Sequence, residues 1–166
     1  LEVVEYYSPT LVKYFMTARI AEKKLLDQPN GAGLARTGVT FKAYSPSAGQ
    51  GTPVTRFFAY KAGEFSTHFY LTIPSEIATV GAQPWATNEG IDMYFTVPDV
   101  FTIVGRGQVR VCPANTKNIW RVFKQKANPA AVVTDPNHRY VDTEAALAEM
   151  VARGYTDEGI VFCGRL

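Results

Sequence analysis

Two histidines, His68 and His138, are the only side chains here whose ordinary pKa lies near neutral, and both sit in one pattern. His68 stands in THFYLT (67–72) and His138 in NHRYVD (137–142), and each precedes a tyrosine two residues on, Tyr70 or Tyr140. A hydrolytic site needs a nucleophile, a base and a group that orients the base. The chain carries no G-x-S-x-G or H-E-x-x-H pattern to supply them. A catalytic base has no need of a second copy, so no catalytic residue is assigned. The imidazoles are read as structural or as ligand contacts.

Two acids, Glu89 and Glu158, each stand before a glycine, in NEG and DEG. A glycosidase would bring such carboxylates within several ångström of each other, whereas repeated positions spread them apart. Arg56 and Arg121 lie on strand-like runs of the segments that carry these acids, and Glu5 lies on the corresponding run of the first segment with Arg36 near its glycine turn. The expectation is an arginine–carboxylate pair tying first strand to last strand within each segment, with the signs exchanged in the first. The alternative is solvated charges at strand ends. Trp85 and Tyr155 follow two helix-like stretches and either stack on a sugar face or pack a helix end onto a sheet.

These residues need elements to hold them, and the elements repeat. One unit reads strand, turn, strand, helix, loop, strand. The second copy runs PVTRFFAY (53–60), THFYLT (67–72), PSEIATVGA (74–82) and WATNEGIDMYFTV (85–97), where Pro opens the helix, an acid follows and Gly lies near its end. The third runs IWRVFKQ (119–125), HRYVD (138–142), TEAALAEMVARG (143–154) and YTDEGIVFC (155–163), with Thr143 as a cap and Gly154 as a stop. The first runs VVEYYS (3–8), KYFMT (13–17), ARIAEKKLLDQ (18–28) and RTGVTFKAY (36–44). The copies align Tyr7, Phe58 and Phe123; then Lys13, His68 and His138; then Tyr14, Phe69 and Arg139; then Phe15, Tyr70 and Tyr140. Gly38, Gly90 and Gly159 align near the end, and Trp85 and Tyr155 correspond, with Leu34 as counterpart. The first turn absorbs insertions, the longest of them at 128–137. The connection 98–116 contains an apolar run and is expected to be more than a linker.

A unit of this size cannot bury its own apolar face, and three can share a centre. The expected fold is α+β: one domain spanning 1–166, made of three β-β-α-β units (about 3–44, 53–97 and 117–163) of antiparallel strands with three short helices. Their arrangement is expected to be approximately threefold and trefoil-like, with a linear stack as the alternative. A net charge of +2 with scattered Lys and Arg gives no support for nucleic-acid binding. No apolar run reaches the length that spans a bilayer. The chain opens on Leu1 without a Met, as expected of a piece trimmed from a longer protein, so the lack of a signal stretch says little.

Cys112 and Cys163 are too few to hold zinc. They are either two separate buried thiols or one disulfide. Cys112 precedes the first strand of the third copy and Cys163 ends its last strand, which favours a disulfide and an oxidising compartment.

On the residues TRFFAY, THFYLT, SE, W and NEGIDMYF of the second copy, and WRVFKQ, NHRYVD and YTDEGIVFC of the third, the chain resembles the DUF5648 family. This bacterial and fungal repeat family has no known function, and its units look like VYRFYN…HFYT…AE…W.YEGIAFYV. The stretches VEYYSPTLVKYFMTA and RTGVTF resemble a variant opening unit. Three positions depart from the pattern: Lys13 for the first His, Thr37 for the usual acid and Arg139 for an aromatic. The resemblance implies a secreted, periplasmic or surface-displayed module, set beside a catalytic domain in the parent chain or carried on a lipoprotein. It implies a cell-wall polysaccharide or other glycan as ligand. The expected contacts are His68, Tyr70, Trp85, Glu89, His138, Tyr140, Tyr155 and Glu158, with no cofactor and no metal. The alternative is a structural or protein-interaction domain with no small ligand.

Overall fold

The computed structural model describes residues 1–29, 31–105, 107–126 and 135–166; of the insertion expected at 128–137, residues 128–134 lie outside the described residues. The first unit comprises β1 (Glu2–Ser8), β2 (Lys13–Thr17), α1 (Ile20–Leu26) and β3 (Ala35–Lys42). The second comprises β4 (Thr52–Lys61), β5 (Phe65–Leu71), α2 (Pro74–Gly81) and β6 (Ala86–Phe95). A hairpin of β7 (Asp99–Ile103) and β8 (Gly107–Val111) follows, where the apolar connection was expected to be structured. The third unit comprises β9 (Thr116–Lys126), β10 (Asp135–Val141), α3 (Glu144–Ala152) and β11 (Thr156–Arg165). The fold is α+β, with antiparallel strands in four small sheets and three short helices among the described residues.

Each unit puts its first strand in the middle of its sheet, in the orders β2-β1-β3, β5-β4-β6 and β10-β9-β11. The helix lies between the second and third strands in sequence, as the start and stop residues predict. Thr143 caps α3 by accepting a hydrogen bond from the Ala146 N–H at 3.1 Å. Gly38, Gly90 and Gly159 all adopt left-handed φ, at 90°, 82° and 83°. At each of them the third strand slips register against the first. A bulge of this kind tolerates only a residue without Cβ at low cost, and it turns the preceding side chain toward the sheet's neighbour.

Backbone pairing corrects the alignment of the first unit by one residue. Tyr7 faces Tyr14, just as Phe58 faces His68 and Phe123 faces His138. Tyr14, rather than Lys13, therefore stands at the histidine position. Phe15 then matches Phe69 and Arg139, and Met16 matches Tyr70 and Tyr140. The shift has a geometric cause: the first hairpin closes at Ser8↔Lys13, and this pairing leaves Lys13 at its mouth. Its ammonium donates to the Pro136 carbonyl at 2.6 Å.

One shared core joins the sheets. Val3, Val54 and Ile119 from the middle strands meet Phe41, Met93 and Phe162 from the third strands, with Tyr70 and Tyr140 between them. The second strands meet one another pairwise, β2 with β5, β5 with β10 and β10 with β2. They are sheet edges, and edges need cover. The Met16 N–H donates to the Tyr70 hydroxyl at 3.0 Å, and that hydroxyl donates to the Met16 carbonyl. The Tyr140 hydroxyl makes the equivalent contact to the Tyr70 carbonyl at 3.3 Å.

Cys112 and Cys163 form a disulfide that ties the end of β8 to β11. The link spans 51 residues, so replacing both cysteines by serine is expected to cost about 4 kcal/mol on the chain-entropy account. Urea unfolding of the double variant measures this; an unchanged midpoint would show that the clip constrains nothing.

Candidate functional site

The middle strands place Arg56 and Arg121 at the seams between units. Arg56 is 1 % exposed. Its Nε donates to Glu89 Oε2 at 2.7 Å, and its two terminal nitrogens donate to Glu22 of α1 at 2.8 and 2.6 Å. Arg121 repeats the arrangement one unit later. Its Nε donates to Glu158 Oε2 at 2.7 Å, and its terminal nitrogens reach Glu76 of α2 at 3.4 and 3.3 Å. The expected pairs of first strand with last strand are thus present in the second and third units. Each guanidinium also grips the helix of the preceding unit.

The first unit departs from expectation. Glu5 does not pair with Arg36, whose guanidinium forms a fork with Asp27 at 2.7 and 2.6 Å. Glu5 instead accepts from Arg139 of β10 at 3.1 and 3.0 Å, and from the Thr37 hydroxyl at 2.8 Å. Glu5 stands where the other units carry arginine, but its cation comes from the third unit and not from Arg36. Ala146 stands where α1 and α2 carry Glu22 and Glu76, so the third seam has lost its helix acid as well.

Rings follow the same order. Phe15 lies 4.8 Å from the His68 ring, and Phe69 lies 4.9 Å from the His138 ring. At the third seam the Arg139 guanidinium sits 4.4 Å over the Tyr14 ring. Each second strand therefore hands a side chain to the next around the set.

Of the clefts beside the arginines among the described residues, two correspond to each other. The first, about 340 Å³, is lined by Phe15, Glu22, Arg56, His68 and Glu89, with Leu25 and Leu26 of α1 as an apolar wall. The second, about 330 Å³, is lined by the counterparts Phe69, Glu76, Arg121, His138 and Glu158, with Thr79 and Val80 of α2. Their size lies at the small end of ligand sites.

Electrostatics differ between the two. Partial burial works upward on the Glu22 carboxyl, but the Arg56 fork and the Thr17 hydroxyl outweigh it and hold the pKa at about 2. Burial likewise works upward on Glu89, and His68 with Arg56 pulls it below the usual carboxylate range. His138 is 8 % exposed, and burial, then Arg121 and Lys13, push its pKa down to about 3. Its ring is therefore neutral, and its 3.8 Å approach to Glu158 is no ion pair. Its Nδ1 finds no hydrogen-bond partner among the described residues.

Of the residues expected at a ligand, His68, Glu89, His138 and Glu158 line these clefts. Tyr70 and Tyr140 are 2 % and 4 % exposed and belong to the core. Trp85 packs against Phe65 and Phe69, with ring centroids 5.5 and 6.2 Å away. Tyr155 is buried beside Val122, Val141 and Met150, and its hydroxyl accepts from Asn137 at 2.9 Å. Sequence reasoning missed Glu22, Glu76, Phe15 and Phe69. The one signal was the acid in the first turn of two helices, which also reads as a simple complement to the helix dipole.

Removing Arg56 leaves carboxylates without their counter-charge. Arg56→Met is expected to cost about 3–5 kcal/mol, while Arg153→Ala, which breaks an exposed pair, should cost under about 1 kcal/mol. Urea unfolding of both variants measures the contrast. The depressed His138 pKa means that the unfolded chain binds a proton before the folded one does. Stability is therefore unaffected above the unfolded pKa of about 6.5, and falls by roughly 1.4 kcal/mol per unit as pH drops from there toward 3. The stability difference between wild type and His138→Gln, measured from pH 7 to 4.5, should shift against the wild type with that slope; a flat difference would rule out a neutral buried ring.

No curated protein and no solved structure matches the chain. A family model for a domain of unknown function, DUF5648, matches residues 1–96, which carry β1 through β6. The match covers more than half of the chain, and the chain belongs to the DUF5648 family.

Proposed function

We propose that the chain is a non-catalytic extracellular module that binds a cell-wall or other glycan in the two seam clefts. One observation carries the reading: the same side chains, a glutamate held by an arginine beside a phenylalanine ring and an imidazole, line a cleft twice. A carboxylate accepts hydrogen bonds from sugar hydroxyls, and an aromatic ring offers a face to the C–H side of the sugar. Glu89 and Glu158 each spend one oxygen on the arginine Nε, which leaves the other oxygen to accept from a ligand. The arginines spend their donors on carboxylates, which disfavours an acidic ligand. The disulfide fits an oxidising compartment, and no helix among the described residues is long and apolar enough to cross a membrane. The cyclic contacts of the second strands support a closed, approximately threefold arrangement of three units.

A second reading, a protein-interaction domain, has its own observation. The β7–β8 hairpin exposes Val100, Phe101 and Val104 at 55 %, 53 % and 98 %, an apolar surface of the kind that marks contact sites.

A glycan array combined with a peptidoglycan pull-down separates the two. Binding is expected for the wild type, weakened at least tenfold in Glu89→Gln with Glu158→Gln and unchanged in Phe101→Ser with Val104→Ser. Absence of binding to every polysaccharide in both assays would overturn the glycan reading.

A further inference from the structure

The two clefts share a wall. His68 and Phe69 are neighbours on β5, and neighbouring strand residues point to opposite sides. His68 lines the first cleft and Phe69 the second. Only the thickness of one strand therefore separates two sites of the same chemistry. The third equivalent position differs in every member of the set. Tyr14 replaces the imidazole, Glu5 the arginine, Thr37 the acid, Ala146 the helix acid and Arg139 the phenylalanine. Arg139 fills that place, with its guanidinium on the Tyr14 ring, two hydrogen bonds to Glu5 and one to the Met150 sulfur.

Resting on the glycan reading, we infer that the chain binds two sugar units of one neutral polysaccharide, one in each cleft, with the polymer crossing β5 between them and the third position binding none. His138 lines the second cleft as His68 lines the first. Two contacts along one chain convert the second into an intramolecular event, so affinity rises steeply with chain length without any new kind of contact. Weak single sites would then favour a polymeric ligand over free monosaccharides.

The test uses nuclear magnetic resonance titration with glucose, xylose and N-acetylglucosamine, and then with their β-1,4-linked hexasaccharides. One monosaccharide is expected to shift amides around both His68–Glu89 and His138–Glu158, and none around Tyr14 or Arg139. Its hexasaccharide should bind one to one and roughly 100-fold tighter. Leu25→Arg crowds the first cleft and Thr79→Arg the second, both from exposed helix positions that leave the buried ion pairs intact. Either variant alone should abolish the length dependence while keeping monosaccharide shifts in the other cleft. Shifts in a single cleft, shifts at the Tyr14 position, or equal affinity for monomer and hexamer would overturn this inference and leave the glycan reading standing. Silence with every sugar would overturn both.

Discussion

A buried guanidinium needs counter-charge on every side it presents, and that requirement sets how the units meet. Arg56 sits on the middle strand of one sheet, where its own third strand supplies Glu89 and the helix of the preceding unit supplies Glu22. Neither acid alone satisfies the fork. The residue can be buried only when two units are docked, so its presence makes docking a condition of folding. Arg121 imposes the same condition one unit later with Glu158 and Glu76. Because burial of such groups yields little net stability, the apolar core formed by all three sheets provides the driving force, and the arginines fix the register in which it forms.

The glycine bulges connect that constraint to the candidate site. With left-handed glycines at 90 and 159, the residue before each is turned out of the strand's regular alternation and toward the arginine. Side-chain acceptors stabilise the turn from within: Asn88 accepts from the Gly90 N–H at 2.8 Å, and Asp157 from the Gly159 N–H at 2.7 Å. The acid that neutralises the arginine is thus the same acid that faces the cleft. Ion pairing and any ligand contact share one carboxylate, one oxygen for each.

Much of this was legible in the sequence, because local signals repeat. The glycines and the strand motifs each occur three times in one order and the helix starts and stops twice, enough to mark out the units, and the place of the two cysteines in the third unit favoured a disulfide over two separate thiols. The in-unit pairs Arg56–Glu89 and Arg121–Glu158 were legible for the same reason. What depends on contacts between units was not. Glu5 and Arg139 stand 134 residues apart and share no motif. Glu22 and Glu76 look like ordinary first-turn acids until a neighbouring strand places arginine against them. Lys13 sits where spacing suggests the histidine position, and only the pairing of Tyr7 with Tyr14 shows that the first hairpin is offset. For Trp85 and Tyr155 the sequence left two readings, sugar stacking or packing, and contacts within their own units to Phe65 and Asn137 show packing.

Reversed charge at the meeting of first and third units has a further meaning. Three interchangeable blocks with sticky flanks could add a fourth from another molecule and continue without end, since head-to-tail contacts that fail to close grow into fibres. Here the order is encoded. A block offering arginine in place of Glu5, as the second and third units do, would set it against Arg139, and one offering a helix acid in place of Ala146, as the first and second units do, would set it against Glu5. Like charges facing each other across a poorly hydrated joint are costly, so a first unit accepts a third unit at this joint and rejects a second one.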